Sequence, residues 1–447
     1  MKSFFGEDLL LYSSAAKQVY GEIRDLPIID YHCHLDITKI AADSGFSDIG
    51  ELWLAGDHYK WRAMRICGVD EKYITGDASY KEKFLKYAEI VPSLAGNPLY
   101  YWTHMELSQI FGITEPLSAE SGERIYNEAN EKLRSISVSS LFEKFKVEYV
   151  ATTDDPIDDL ALHGNYWSTL VSPTFRPDKI YSFDREYLNK LGLAAGIEIV
   201  DLDSLLSALE SRLDFFVSRG CRISDHGFAR FPKSYAAKSE AEALFARRDD
   251  LTAEEKDSLF GFILVWLAKE YGKRNMLMQI HFSVIRNNNP QMFARVGVDS
   301  GFDLIGEAQS VKDAVNFFAQ ISDEERPETV LYTLNDSNIS ALSCITGAFR
   351  KVRMGAAWWF NDTVEGIRRN LSAISEYSAL GTNLGMLTDS RSFSSYVRFD
   401  FFRRILAEHL GALVEKGEYD LNAAIIAAKK ICYENINTTL AKGGIQK

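Results

Sequence analysis

Cysteine is scarce in this 447-residue chain: the five residues, at 33, 67, 221, 344 and 432, are scattered and show no CxxC spacing. An odd, dispersed set argues against a disulfide framework and fits a reducing cytoplasm. Long apolar runs are missing too. The stretch Phe260 to Ala268 is far too short to span a bilayer. The N-terminus, Met1 to Ser14, carries Glu7 and Asp8 and lacks a small-residue cleavage site, so it does not read as a signal peptide. Positive charge is in deficit: 50 basic against 63 acidic side chains leave −13 at neutral pH. That balance argues against nucleic acid or an anionic membrane as partner. An anionic substrate would therefore need local positive charge, from a metal and a few arginines. Disorder-prone composition is absent, since 46% hydrophobic and 12% aromatic residues suffice for a sizeable core.

Short apolar runs alternate instead with helical patterns. Eight strand candidates stand out: Ile28 to His32, Val147 to Thr152, Leu170 to Phe175, Cys221 to Ser224, Met276 to His281, Thr329 to Leu334, Arg353 to Trp358 and Leu384 to Thr388. Helical spacing marks Ser204 to Val217, Ser310 to Ile321, Thr363 to Ala379 and Asp400 to Glu415. The repeated alternation predicts an α/β fold, a single (β/α)8 barrel domain over 1–447. A doubly wound open sheet would show a Gly-rich phosphate turn after its first strand, and none is present. Two stretches exceed loop lengths. Residues 37–146 predict a helical insertion capping the barrel after the first strand. Residues 236–273 predict a second helical insertion, broken near Asp249-Asp250-Leu251-Thr252.

Chemistry-bearing residues gather at the strand ends, where such barrels carry function. The first strand runs into His32-Cys33-His34. At strand spacing these two of only eight histidines share a face and can grip one cation. Asp389 ends the last strand and completes a three-ligand set suited to Zn²⁺, Mn²⁺ or Fe²⁺; a helix N-cap is its other reading. His281 reads as a further ligand, a donor to a substrate oxygen, or an interior histidine. Asp225-His226 ends the fourth strand, and both are expected to line the substrate pocket. Arg176, Arg286 and Arg391 each follow a strand end and suit a substrate carboxylate, with surface ion pairing as the alternative. Trp358 and Trp359 are adjacent, so at most one is expected to face the barrel axis. His58 and Tyr59, in the first insertion, could reach over the metal and transfer protons.

Several of these stretches together resemble the uronate isomerase (glucuronate isomerase) family of the amidohydrolase superfamily. The resemblance rests on Asp30-Tyr31-His32-Cys33-His34, His58-Tyr59 with Trp61-Arg62-Ala63-Met64-Arg65, and Thr152-Thr153-Asp154-Asp155-Pro156. It continues through Thr174-Phe175-Arg176-Pro177-Asp178-Lys179, Ser224-Asp225-His226-Gly227 and Gln279-Ile280-His281 to Ile285-Arg286-Asn287-Asn288-Asn289. It closes on Trp358-Trp359-Phe360-Asn361-Asp362 and Gly385-Met386-Leu387-Thr388-Asp389-Ser390-Arg391-Ser392-Phe393.

The resemblance implies interconversion of D-glucuronate with D-fructuronate, and of D-galacturonate with D-tagaturonate, in hexuronate catabolism. It implies one divalent metal, often zinc, on His32, His34 and Asp389, and a pocket lined by His58, Tyr59, Arg391 and one of the tryptophans. Hydrolytic members usually place a lysine or carboxylate after the fourth strand and a histidine after the sixth. Here those positions read Asp225-His226 and Asn335-Asp336, which argues against a binuclear hydrolytic centre. Moving a proton from C2 to C1 through a cis-enediol needs electrophilic help for the developing oxyanion and a positioned base. Asp389, Tyr59 and His58 are the candidates for the base, and Arg391 or Arg176 for the carboxylate clamp. A mononuclear lactone or amide hydrolase, or a uronate-binding protein without turnover, are the competing readings. The expected partner is a small hexuronate, and a homo-oligomer is compatible with the sequence.

Overall fold

Branched and aromatic runs flanked by turn residues become short, buried strands in a computed structural model, which describes residues 4–442. In chain order they are β1 (Ile28–Asp30), β2 (Val147–Ala151), β3 (Gly164–Tyr166), β4 (Thr169–Ser172), β5 (Thr174–Phe175) and β6 (Ile223–Gly227). The remainder are β7 (Leu277–Phe282), β8 (Val284–Ile285), β9 (Leu304–Ile305), β10 (Glu328–Thr333) and β11 (Val352–Met354). One sheet has the order β1-β2-β4-β3 and another β11-β10-β7-β6-β5. All pairings in both are parallel except the β3–β4 hairpin. The fold is α/β.

Every residue of β7 is buried, and the strand has two faces. Met278, Ile280 and Phe282 join a cluster under the helices, whereas Leu277 joins a second cluster with Ile29, Tyr149, Ile223, Val330 and Tyr332. That second cluster draws side chains from both sheets, so it lies between them. Period-2 alternation therefore sends Gln279 and His281 inward with Leu277. Gln279 Nε2 donates to the Tyr31 carbonyl across this interior, at 2.9 Å.

Strand boundaries differ from the sequence expectation where backbone chemistry intervenes. The expected strand Leu170 to Phe175 divides at Pro173, which has no N–H to give a ladder. β4 stays with β2, while β5 pairs with β6. A parallel bridge between Asp154 and Phe175 joins the two sheets. Leu384 to Thr388 is not a regular strand. Gly385 takes φ +75, where a Cβ would lie 2.2 Å from the Ile431 carbonyl oxygen, so the segment bends. It still runs beside the first strand, because Asp389 N donates to His32 O and His34 N to Ser390 O. The run expected to reach Trp358 stops at Met354, and β1 stops at Asp30, leaving both histidines in the chain beyond it.

Between β1 and β2 the chain forms seven α-helices, from Ile37–Ala41 to Val138–Lys144. Helix His58–Ile66 among them is started by Asp57, whose side chain accepts from Tyr59 N and Lys60 N. Helices Lys238–Ala246 and Ala253–Lys273 flank a turn, and Thr252 opens the second with a capping box. Helix Val397–Glu415 packs along helix Ser14–Ile23, close enough that a Cβ on Gly411 would lie 2.4 Å from the Ala16 amide nitrogen. Gly411→Ala should therefore destabilise the fold by about 1–3 kcal/mol. A Cβ on Gly21 meets nothing within 4 Å, so Gly21→Ala should stabilise it by about 0.4–1 kcal/mol. Urea unfolding midpoints check both signs.

Candidate active site

The residues beyond β1 and the segment around Asp389 are stitched together before any ligand is considered. Asp30 anchors the stitch: its carboxylate accepts from Thr388 N at 2.9 Å and from Thr388 Oγ1. Arg398 Nη1 donates to Thr388 O at 2.9 Å. Asp389 then takes φ +45 and donates its amide to His32 O at 3.0 Å. This leaves its side chain facing the histidines rather than capping a helix, and the turn Phe393–Tyr396 is capped by Ser392 instead.

His32 Nε2 and His34 Nε2 each lie 3.1 Å from Asp389 Oδ1. Trp358 Nε1 donates to Asp389 Oδ2 at 2.8 Å. One ligand atom from each of His32, His34 and Asp389 falls within 4.8 Å of the others, a donor set of two imidazoles and a carboxylate that fits a divalent cation. The second nitrogen of His32, Nδ1, is buried without a hydrogen bond and faces Asp225 Oδ2 at 3.8 Å. The carboxylate charge behind the ring favours the proton on Nδ1, which leaves Nε2 free for a cation. Burial alone would raise the Asp389 carboxyl, but the hydrogen bonds and charges of His32 and His34 hold it well below the usual range.

Asp225 is a second centre of charge. Its Oδ1 lies 2.6 Å from His281 Nδ1 and its Oδ2 lies 2.9 Å from Arg176 Nη1. Burial disfavours the ionised acid, yet Arg176, His281 and His32 outweigh it and keep the carboxyl well below its ordinary value. His281 stacks on Tyr332 with ring centroids 4.4 Å apart, and burial takes its pKa down to about 4. One ligand atom from each of His32, Asp225 and His281 also lies within 4.8 Å of the others. A guanidinium against the same carboxylate would repel a cation, so these residues read as an ion-paired support.

The outer wall comes from helix His58–Ile66 and the turn after β11. His58 stacks on Tyr59 at 4.9 Å, and Trp359 packs edge-on to His58 at 5.4 Å. Both tryptophans reach the site, contrary to the one-inward expectation. They lie in a turn rather than a strand, and Trp359 takes φ +52, so alternation does not govern them. Arg391 shares a cavity of about 220 Å³ with His34, Asp36, Lys39 and Asp57. The larger cavities, about 790 and 510 Å³, contain none of the ligand residues.

The glucuronate isomerase family model matches residues 1–439. The chain belongs to the glucuronate isomerase family. It is 40% identical to a uronate isomerase of Marinomonas sp., covering 97% of this chain and 98% of that one. A uronate isomerase of Shouchella clausii is 42% identical, covering 94% and 93%. The solved uronate isomerase of Thermotoga maritima superposes with a TM-score of 0.95 at 34% identity, covering 98% of this chain and all 100% of that one.

Within this glucuronate isomerase frame, two expected pocket residues are placed otherwise. β6 continues through Gly227, so His226 faces away from Asp225 and packs under the helices, its Nδ1 3.1 Å from Tyr181 OH. Arg176 is taken up by Asp178 and Asp225 rather than free to clamp a substrate. Arg286 lies over the Trp359 ring at 5.6 Å, within 3.5 Å of Asp303. Sequence reasoning missed Asp30 and Arg398. The signals were a carboxylate closing an apolar strand, and an arginine immediately before the aromatic run Phe399 to Phe402.

Buried charge behind the wall gives a pH signature. Burial pushes the Asp362 carboxyl up to about 7, with Arg398 opposing and Asp389 reinforcing the shift. Between about pH 4 and 7 the folded chain holds this proton more tightly than the unfolded chain does. The group's contribution to stability is therefore full below about pH 4 and is lost as pH rises through 7. Asp362→Asn stays neutral throughout, so its melting temperature relative to the parent should climb between about pH 5 and pH 8. A difference independent of pH would contradict the assignment.

Proposed function

We infer that this chain is an aldose–ketose isomerase that interconverts D-glucuronate and D-fructuronate, and D-galacturonate and D-tagaturonate, through a cis-enediol in hexuronate catabolism. The observation that carries this reading is family membership across residues 1–439. We read the two sheets, joined at Asp154–Phe175 and at His32–Asp389, as a closed (β/α)8 barrel. The helices of 37–146 then cap its catalytic end, and those of 236–273 form a second insertion.

His32, His34 and Asp389 would hold one divalent ion, zinc, which when bound supplies electrophilic stabilisation to the oxygen gaining charge in the enediol. The protein's own groups divide the remaining work. Arg391 is the proposed carboxylate clamp, because it opens on the cavity beside His34 while Arg176 is engaged elsewhere. A clamped carboxylate fixes C1 and C2 relative to the acid–base pair. Burial and then the Arg391 charge lower His58 to about 4, so its imidazole is neutral near neutral pH and able to accept a proton. Burial and the Asp389 charge push the Tyr59 phenol well above its ordinary value, with Arg398 opposing. Tyr59 thus stays protonated and is placed to donate a hydrogen bond to a substrate oxygen. In this scheme His58 carries the proton from C2 to C1, Trp359 covers the sugar face, and His281, Asp225 and Arg176 hold His32 in place.

Metal-loaded protein should convert D-glucuronate or D-galacturonate and, in deuterated water, place deuterium at C1 of the ketose. Conversion of neither sugar would remove the reading. Tyr59→Phe should lower kcat by about 10²–10⁴-fold with KM little changed. An unaltered kcat would deny Tyr59 its role.

A further inference from the structure

Asp299 lies on the turn before β9, in the left-handed conformation at φ +53 that L side chains seldom adopt. The turn is fastened to helix His58–Ile66. Arg62 Nη1 donates to Gly301 O at 3.3 Å and to Asp303 O at 3.1 Å, and Arg65 Nη1 donates to Ser300 O. Arg65 also lies over the Phe302 ring at 4.4 Å. Gly301 comes so near that a Cβ there would stand 3.0 Å from His58 O. The clamp delivers a carboxylate to the cavity mouth: Asp299 Oδ2 accepts from Arg391 Nη2 at 2.8 Å, and Oδ1 lies 3.8 Å from Arg286 Nη1. Among the described residues, Asp299 is the only hydrogen-bond partner of the Arg391 guanidinium.

We propose that Asp299 is a built-in stand-in for the substrate carboxylate, which a hexuronate must displace from Arg391 in order to bind. This rests on the reading of Arg391 as the carboxylate clamp. Two contrasts support it. The Arg176–Asp225 pair is closed, with the acid 0% exposed, whereas Arg391 and Asp299 are 31% and 46% exposed. Water reaches the second pair, so its exchange for another anion costs little. A hexuronate carboxylate can also offer both oxygens to the guanidinium, whereas Asp299 gives Arg391 one bond. In the ligand-free protein the stand-in keeps Arg391 oriented and charge-compensated, and it sets the substrate affinity below what the bare clamp would give.

The test is direct binding to the metal-loaded full chain, by calorimetry, of L-gulonate and D-glucitol. L-gulonate is glucuronate with its aldehyde reduced, so it keeps the carboxylate and cannot isomerise; D-glucitol is its neutral counterpart. Asp299→Asn should tighten L-gulonate about two- to fivefold, the range for an exposed ion pair, and leave D-glucitol unchanged. Arg391→Met should weaken L-gulonate and abolish the gain in the double variant. Unchanged or weaker L-gulonate binding by Asp299→Asn overturns the proposal, as does a gain that survives Arg391→Met. If Arg391→Met leaves L-gulonate affinity intact, the clamp reading itself falls. Binding is measured without turnover, so these outcomes are separate from failure of the isomerase reading.

Discussion

A carboxylate enclosed by aromatic rings and main chain is costly unless opposite charge or hydrogen bonds compensate it, and Asp389 imposes that constraint on everything around it. One of its oxygens meets two imidazole nitrogens and the other accepts the Trp358 indole N–H. Its backbone is held in turn by His32 O, while Thr388 beside it is gripped by Asp30 and Arg398. The contact thus joins the first and last strand-like segments and builds the candidate metal site in one step. A bend at Gly385 is what lets the later segment reach that position.

Charge is arranged in layers behind this contact. Asp225 is kept ionised by Arg176, His281 and His32, and its charge lies behind the imidazole of the candidate ion site. Further out, His58 and Tyr59 are kept neutral by burial, one below and one above its ordinary titration range. Arg391 and Arg286 face the mouth with Asp299 between them, so the guanidinium groups there are balanced by carboxylate.

Much of this was legible in the order of residues. The spacing of His32 and His34 and the distant Asp389 pointed to one site because few residue types bind metals and these stood at strand ends. The α/β alternation was legible because buried parallel strands need near-continuous apolar runs, as in Leu277–Phe282. What was not legible depends on backbone geometry or on pairing between distant residues. The strand broken at Pro173 and the bend at Gly385 each reflect a single residue overriding an apolar pattern. His226 was misplaced because the strand runs further than its apolar letters. The two tryptophans both reach the site because a left-handed residue, not strand alternation, sets their directions. Arg176 has a fitting position for a clamp, but only the fold reveals that Asp178 and Asp225 already hold it.

In the proposed site, imidazoles near the start of the chain and an acid near its end share one cation. The most direct measurement is an anomalous-difference map at the zinc absorption edge from crystals of the zinc-loaded protein. It should show one peak with His32 Nε2, His34 Nε2 and an Asp389 oxygen at about 2.0–2.2 Å. A peak coordinated by His281 and Asp225 alone, or one remote from all three ligands, would contradict the account.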